Sequence, residues 1–170
     1  MELIDCIHNT RFLGREFLTW VWFRSEIQEE IFRMEGTPPM GISFDERLVL
    51  EAAVDNVREV SAIRGERPTQ TAEARASLRM GKKVVQARLT VSLGSQDWVC
   101  VIQGDDLALS GVKVPAVLAH AEDDFLLERV YLLDQLESAM DALYREFLNV
   151  RFDAEAWPGE LKAMQTWVAT

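Results

Sequence analysis

The side chains that could do chemistry in this chain are mostly charged, and the basic ones cluster. Between residues 64 and 88 stand Arg64, Arg67, Arg75, Arg79, Lys82, Lys83 and Arg88, against only Glu66 and Glu73, a local charge of +5. Arg75 and Arg79 are four apart, so a helix over 71–80 would put both on one face. Lys82 and Lys83 follow its end, and Arg64 and Arg67 precede it. Cations gathered near one sheet edge suit phosphate neutralisation, which gives affinity for duplex nucleic acid without reading its sequence. Arg outnumbers Lys 14 to 4, and a guanidinium is the better group for planar pairing with phosphate or carboxylate. The competing reading is a solvated face, or pairing within the chain with the acidic C-terminal helix.

Metal chemistry has weaker support. Glu122, Asp123 and Asp124 run together, as do Asp105 and Asp106, and such oxygens could hold Mg²⁺ in a metal-dependent nuclease. Neither group has the spacing of a known loop. Acids that open a helix are favoured by its dipole, and an Asp pair suits a turn. His8 and His120 stand apart, and Cys6 and Cys100 are far separated, so no zinc cluster forms in sequence. There is no nucleophile-elbow motif and no Gly-rich phosphate loop. The expectation is a non-enzymatic protein with no metal and no cofactor.

The formal charge of the 170 residues is −10. That is the wrong sign for a protein that binds polyanions over its whole surface, although net charge does not decide local sites. The acids concentrate late: residues 122–170 hold eleven, against four bases. Hydrophobic residues make up 48%, and a chain of this length buries roughly 70% of its unfolded surface. Two free thiols fit a reducing cytosol. Glu2, Asp5 and Arg11 interrupt any secretion signal. The longest apolar runs, such as Trp20–Phe23, fall far short of the ~20 residues a spanning helix needs. A cytoplasmic protein with no membrane contact is expected, nucleoid-associated if it binds DNA.

These groups need elements to position them. Leu13, Phe17, Trp20, Val21, Ile27 and Ile31 recur at helical steps and predict a helix over 11–34, with Leu18, Trp22 and Phe23 burying a second side. Alternation over 41–64 predicts a hairpin turning near Asp55 and Asn56. Thr71 is a plausible N-cap for AEARASLRM, and Gly81 a stop. Val85, Ala87, Leu89, Val91 and Leu93 alternate in the clearest strand. GSQD turns the chain, WVCVIQ returns, and LALSGV adds a short strand. A long helix over 122–150 carries Leu133, Leu136, Met140, Leu143 and Phe147 as a seam that packs on the sheet or makes a dimer contact. Pro158 begins a last helix. Trp20 and Trp98 are read as core. The sum is one α+β domain over 1–170, an antiparallel β-sheet packed against long α-helices.

The segment RFLGREFLTWVWFRSE resembles a stretch of the recombination-associated protein RdgC family, in which a FLGREFLTWLW-type motif opens the C-terminal part. The later order is also similar: RLVLE, then a helix, GKKVVQARLTV, DWVCVIQGDDLALSGVKVP, and a long helix with ERVYLLDQLESAMDALYREFL. The likeness spans nearly the whole chain but only the C-terminal part of a full-length member, with the N-terminal half absent. It implies a non-enzymatic module related to ring-like dimers that encircle double-stranded DNA without sequence preference and restrain RecA-dependent recombination. It brings no catalytic residues. The alternative, from a different class, is an acidic interaction module that forms a homodimer or docks a partner chain without touching DNA.

Overall fold

The structure, a computed structural model, describes residues 3–33, 35–54 and 57–170. In chain order the elements are α1 (Leu3–Ile27), β1 (Met40–Val54), β2 (Val57–Gly65), α2 (Ala72–Arg79), β3 (Lys83–Leu93), β4 (Gln96–Gln103), β5 (Leu109–Lys113), α3 (Glu122–Phe152) and α4 (Ala156–Ala169), with a short 3-10 turn at Pro68–Gln70. The strands form one antiparallel sheet in the order β2-β1-β3-β4-β5. The α+β expectation therefore holds. No helix among the described residues is long and apolar enough to cross a membrane.

Period-two alternation gives the sheet two unlike faces. Leu48, Leu50, Ile63, Ala87, Leu89, Val91, Trp98, Cys100 and Ile102 are buried on the inner face. The alternate residues, including Arg47, Val49, Arg88 and Val101, form the outer face, and none of these is fully buried. Helix α1 is the central helix. Its Phe17 ring lies edge-on to Tyr144 of α3 at 5.1 Å, and Trp20 lies 5.5 Å from Phe147. Trp22 meets Trp167 of α4 edge-on at 5.4 Å. Because sheet, α3 and α4 all press on it, α1 is apolar on more than one side. Trp98 is core as expected, with its Nε1 donating to the Leu132 carbonyl at 2.8 Å.

The bounds of α1, Leu3–Ile27, differ from the 11–34 of the sequence reading. Helix α1 ends at Ile27, not at residue 34. Glu29 and Glu30 would sit at the negative end of the helix dipole. Ile31 instead donates its N–H to the Met40 carbonyl at 2.9 Å, and Met40 donates to Phe32 at 2.7 Å. Ile31 is therefore buried by an extended segment, while Ile27 stays exposed. At the first hairpin, Val54 pairs with Val57; the expected turn residues Asp55 and Asn56 lie outside the described residues.

The local signals elsewhere hold. Thr71 caps α2, with its Oγ1 accepting from the Ala74 N–H at 3.2 Å. Gly81, at φ +80°, ends that turn, a conformation that favours glycine. Gly94, at φ +62°, makes the β3–β4 turn.

The seam of α3 goes largely into the chain's own core. Leu136, Met140, Leu143 and Phe147 are buried against the sheet and α1. Of the five candidate dimer contacts, Leu133 alone is exposed. The dimer surface read from that seam is therefore not a free face for the other four, because the sheet needs the same stripe to cover its inner side.

Candidate nucleic-acid interface

The seven cations of the basic run do not converge. They divide between the two faces of the sheet, and most are engaged within the chain. Helix α2 lies on the inner side of β2, where Ser77 Oγ donates to Ser61 Oγ at 2.9 Å. That placement directs Arg75 inward. It bonds Glu26 and lies over Trp167, with its guanidinium carbon 4.9 Å from the ring centroid. Arg79 Nε donates to the Val168 carbonyl at 3.2 Å. Lys82 is buried and reaches Ser61 Oγ at 3.1 Å and Glu59 at 3.6 Å. Lys83 bonds Glu16 at 2.9 Å, and Arg88 bonds Glu46 at 2.9 Å. Five of the seven thus have internal roles, but the acids they bond lie on α1, β1 and β2 and not on the acidic C-terminal helix that the pairing alternative named.

Arg64 and Arg67 remain exposed, with no side-chain hydrogen bond or ion pair among the described residues. Arg64 stands on the outer face directly opposite Arg47 of β1. Arg47 is also exposed and unpaired among the described residues. Like charges directly opposite on neighbouring strands repel. The nearest acid in sequence, Glu46, is drawn off by Arg88. It sits at φ 53°, where β1 carries extra residues against β3 between Phe44 and Leu48. This bulge holds a non-glycine residue in the left-handed region, at a cost of ~1–2 kcal/mol. It turns Glu46 toward Arg88 and leaves Arg47 beside Arg64 without a carboxylate.

Further along the same face, Arg11, Arg15, Arg47 and Arg58 line a cavity of about 410 Å³ with Glu51, Asp105 and Asp106. It lies where α1 crosses the start of β3 and the end of β4. The crossing is close because Gly14 faces the Gly104 backbone with no side chain between them. Glu51 is bracketed by Arg58 at 2.6 Å and Arg15 at 3.3 Å. Arg15 Nε also bonds Asp105 at 2.6 Å, and that hydrogen bond holds the Asp105 carboxyl below its ordinary range. Arg58 keeps 72% of its side chain exposed despite its pairing. Arg11 is exposed at the mouth.

Arg11, Arg47 and Arg58 were missed because they lie outside the basic run. The signal for Arg47 was present: a two-residue turn at Asp55-Asn56, counted outward, pairs Arg47 with Arg64.

The acid groups considered for metal are apart in role. Asp105 is held by Arg15, Asp106 accepts from the Ala108 N–H at 2.9 Å, and Glu122, Asp123 and Asp124 occupy the exposed first turn of α3. Among the described residues, no three His, Cys, Asp or Glu side chains come together to hold a metal ion. The side chains of Cys6 and His8 lie outside the described ones. No protein-family model, no curated protein and no solved structure matches the chain.

Proposed function

We propose that the chain is a non-enzymatic, RdgC-like module that contacts double-stranded DNA through its phosphates. The contact is made by the outer face of the sheet rather than by α2. The observation that carries this reading is the unpaired, exposed Arg47–Arg64 pair, flanked on the same face by the largely exposed Arg58 and at its rim by Arg11. Residues 58 and 64 are six apart on one strand, a span of about 20 Å. That length reaches several successive phosphates of a duplex. Backbone contacts of this kind position a protein on DNA and carry no base information. The acidic α3 packs on the inner side of the sheet, away from Arg47 and Arg64.

Equilibrium binding to a fluorescent duplex at low salt tests the reading. The wild type should bind, and Arg47→Glu/Arg64→Glu should weaken binding strongly. Arg79→Glu, on the opposite side of the sheet, should leave it near the wild-type value. Absence of wild-type binding, or equal loss in both variants, overturns it.

A further inference from the structure

The inner side of the molecule carries a second feature that phosphate contact does not use. An apolar groove of about 450 Å³ runs between the edge strand β5 and helix α3. Leu107, Leu109 and Val112 line one wall, and Leu133, Met140 and Tyr144 the other. Glu137 and Asp141 stand on its α3 rim. Leu107 sits at φ 58°, in the left-handed region, which leucine rarely adopts. Such an outlier marks a place where the fold holds a side chain against local preference.

The groove is extended along α3. Leu126, Val130, Leu133, Met140 and Tyr144 lie along one helical stripe, which Glu137 interrupts and in which Met140 is buried at the floor of the groove. Leu126 is 61% exposed, Val130 55% and Leu133 39%. From Leu126 to Tyr144 the stripe measures about 27 Å. An exposed apolar stripe with a charged rim is the mark of an interaction surface.

We propose that this groove receives an amphipathic helix of a partner protein, with lysine or arginine beside its apolar stripe. Three observations select that occupant. First, β5 is a poor template for an added strand. It is only five residues long, and Gly111 at φ 58° interrupts its extended backbone. Strand addition needs a regular row of free N–H and C=O groups. Second, the rim is acidic. Helix α3 carries eight acids and three arginines, and Glu137 and Asp141 line the groove itself, Asp141 bonded to Arg145 at 2.9 Å and Glu137 with no side-chain hydrogen bond or ion pair among the described residues. Basic side chains beside the guest's apolar stripe would complement them. Third, a second copy of α3 would bring acid against acid along that rim, which disfavours a homodimer through this face. A guest of five turns would place apolar residues at i, i+3 or i+4, and i+7 along the stripe.

The test uses the full chain and a synthetic 18-residue Leu/Lys peptide of amphipathic helical pattern. The controls are a scramble of identical composition and a Leu/Glu peptide of the same pattern. By fluorescence anisotropy the Leu/Lys helix should bind, and the scramble and the Leu/Glu peptide should bind at least roughly tenfold more weakly. Leu133→Asp and Glu137→Lys/Asp141→Lys should each reduce binding by about tenfold or more. These residues are exposed, so circular dichroism should show folded variants. None of them lies on the outer face of the sheet, so duplex binding should be unchanged in all of them. Equal binding of the scramble, no binding of the Leu/Lys helix at about 100 µM, or no effect of the variants overturns the proposal. Self-association of the chain that Leu133→Asp abolishes would also overturn it, in favour of a second copy.

Discussion

The guanidinium of Arg75 lies over the Trp167 ring, 4.9 Å from its centroid, and so ties α2 to α4. Glu26 of α1 completes the corner. It accepts from Arg75, from Trp167 Nε1 at 2.8 Å and from Trp22 Nε1 at 2.7 Å. A cation that looks free in the sequence is thus part of the packing. Arg75→Ala removes a cation–π contact and leaves Glu26 without its charged partner. The loss of stability should be about 1–3 kcal/mol. Thermal or urea unfolding of the variant checks this. A change below a few tenths of a kcal/mol would mean that the corner does not depend on Arg75.

Gly14 sets how closely α1 crosses the sheet. A Cβ built at residue 14 would lie 2.1 Å from the Gly104 carbonyl oxygen, and that neighbour is backbone. Gly14→Ala must therefore push α1 away from the end of β4. Overpacking of this kind costs about 1–3 kcal/mol, and the midpoint of thermal unfolding should fall by roughly 5 °C. The same substitution at Gly159, where a Cβ meets nothing, should leave the midpoint unchanged or slightly raise it.

Glu16 joins three elements and makes the fold sensitive to acid. It bonds Lys83 of β3 at 2.9 Å and Arg151 of α3 at 2.8 Å. Burial pushes its carboxyl up, but the hydrogen bonds from Arg151 and Lys83 outweigh this and hold it below its ordinary value of 4.5. A carboxyl lowered in the folded state stabilises fully above that ordinary value. The contribution disappears as pH falls through the lower, folded value. Stability should therefore be flat from neutral pH down to about 5 as far as Glu16 is concerned, then decline. Glu16→Gln should be less stable at pH 7 and should show a shallower decline below pH 4.5. Urea titrations across that range measure both. Parallel curves for the two proteins would remove Glu16 as a source of the acid sensitivity.

Cys100 lies under the sheet, fully covered, and burial pushes its thiol up to about 11. The reactive form of a thiol is the thiolate. In the native protein at pH 8, Cys100 should resist iodoacetamide, and in denaturant it should react freely. Peptide mapping by mass spectrometry reads that residue apart from Cys6. Rapid native labelling of Cys100 would show that the strand opens.

Much of the architecture was legible because it rests on short-range pattern. Alternation from Ala87 to Leu93 marked β3, although at its start a register shift against β1 buries Val84 in place of the expected Val85; Thr71 and Gly81 bounded α2, and the apolar steps of α3 marked its buried stripe. What the sequence hid was the destination of charges. Arg75, Arg79 and Lys82 are close to Arg64 and Arg67 along the chain, but α2 folds onto the inner side of β2 while Arg64 points outward. The partners of the basic run come from far away: Glu26 is 49 residues from Arg75, the Val168 carbonyl 89 from Arg79, and Glu16 67 from Lys83. A charge count along the chain cannot see such partners. The Arg47–Arg64 pair was accessible by counting outward from the hairpin turn. The bulge at Glu46 that frees Arg47 was not, since it depends on how β1 meets β3.

The central claim is that the outer face of the sheet neutralises DNA phosphates. Its most direct measurement is the slope of log affinity against log salt for a duplex, for the wild type and for Arg47→Gln/Arg64→Gln. Each phosphate contact contributes about −0.9 to that slope. The account predicts a negative wild-type slope that becomes shallower by roughly two in the double variant. A wild-type slope near zero, or a slope that the double variant leaves unchanged, would contradict it.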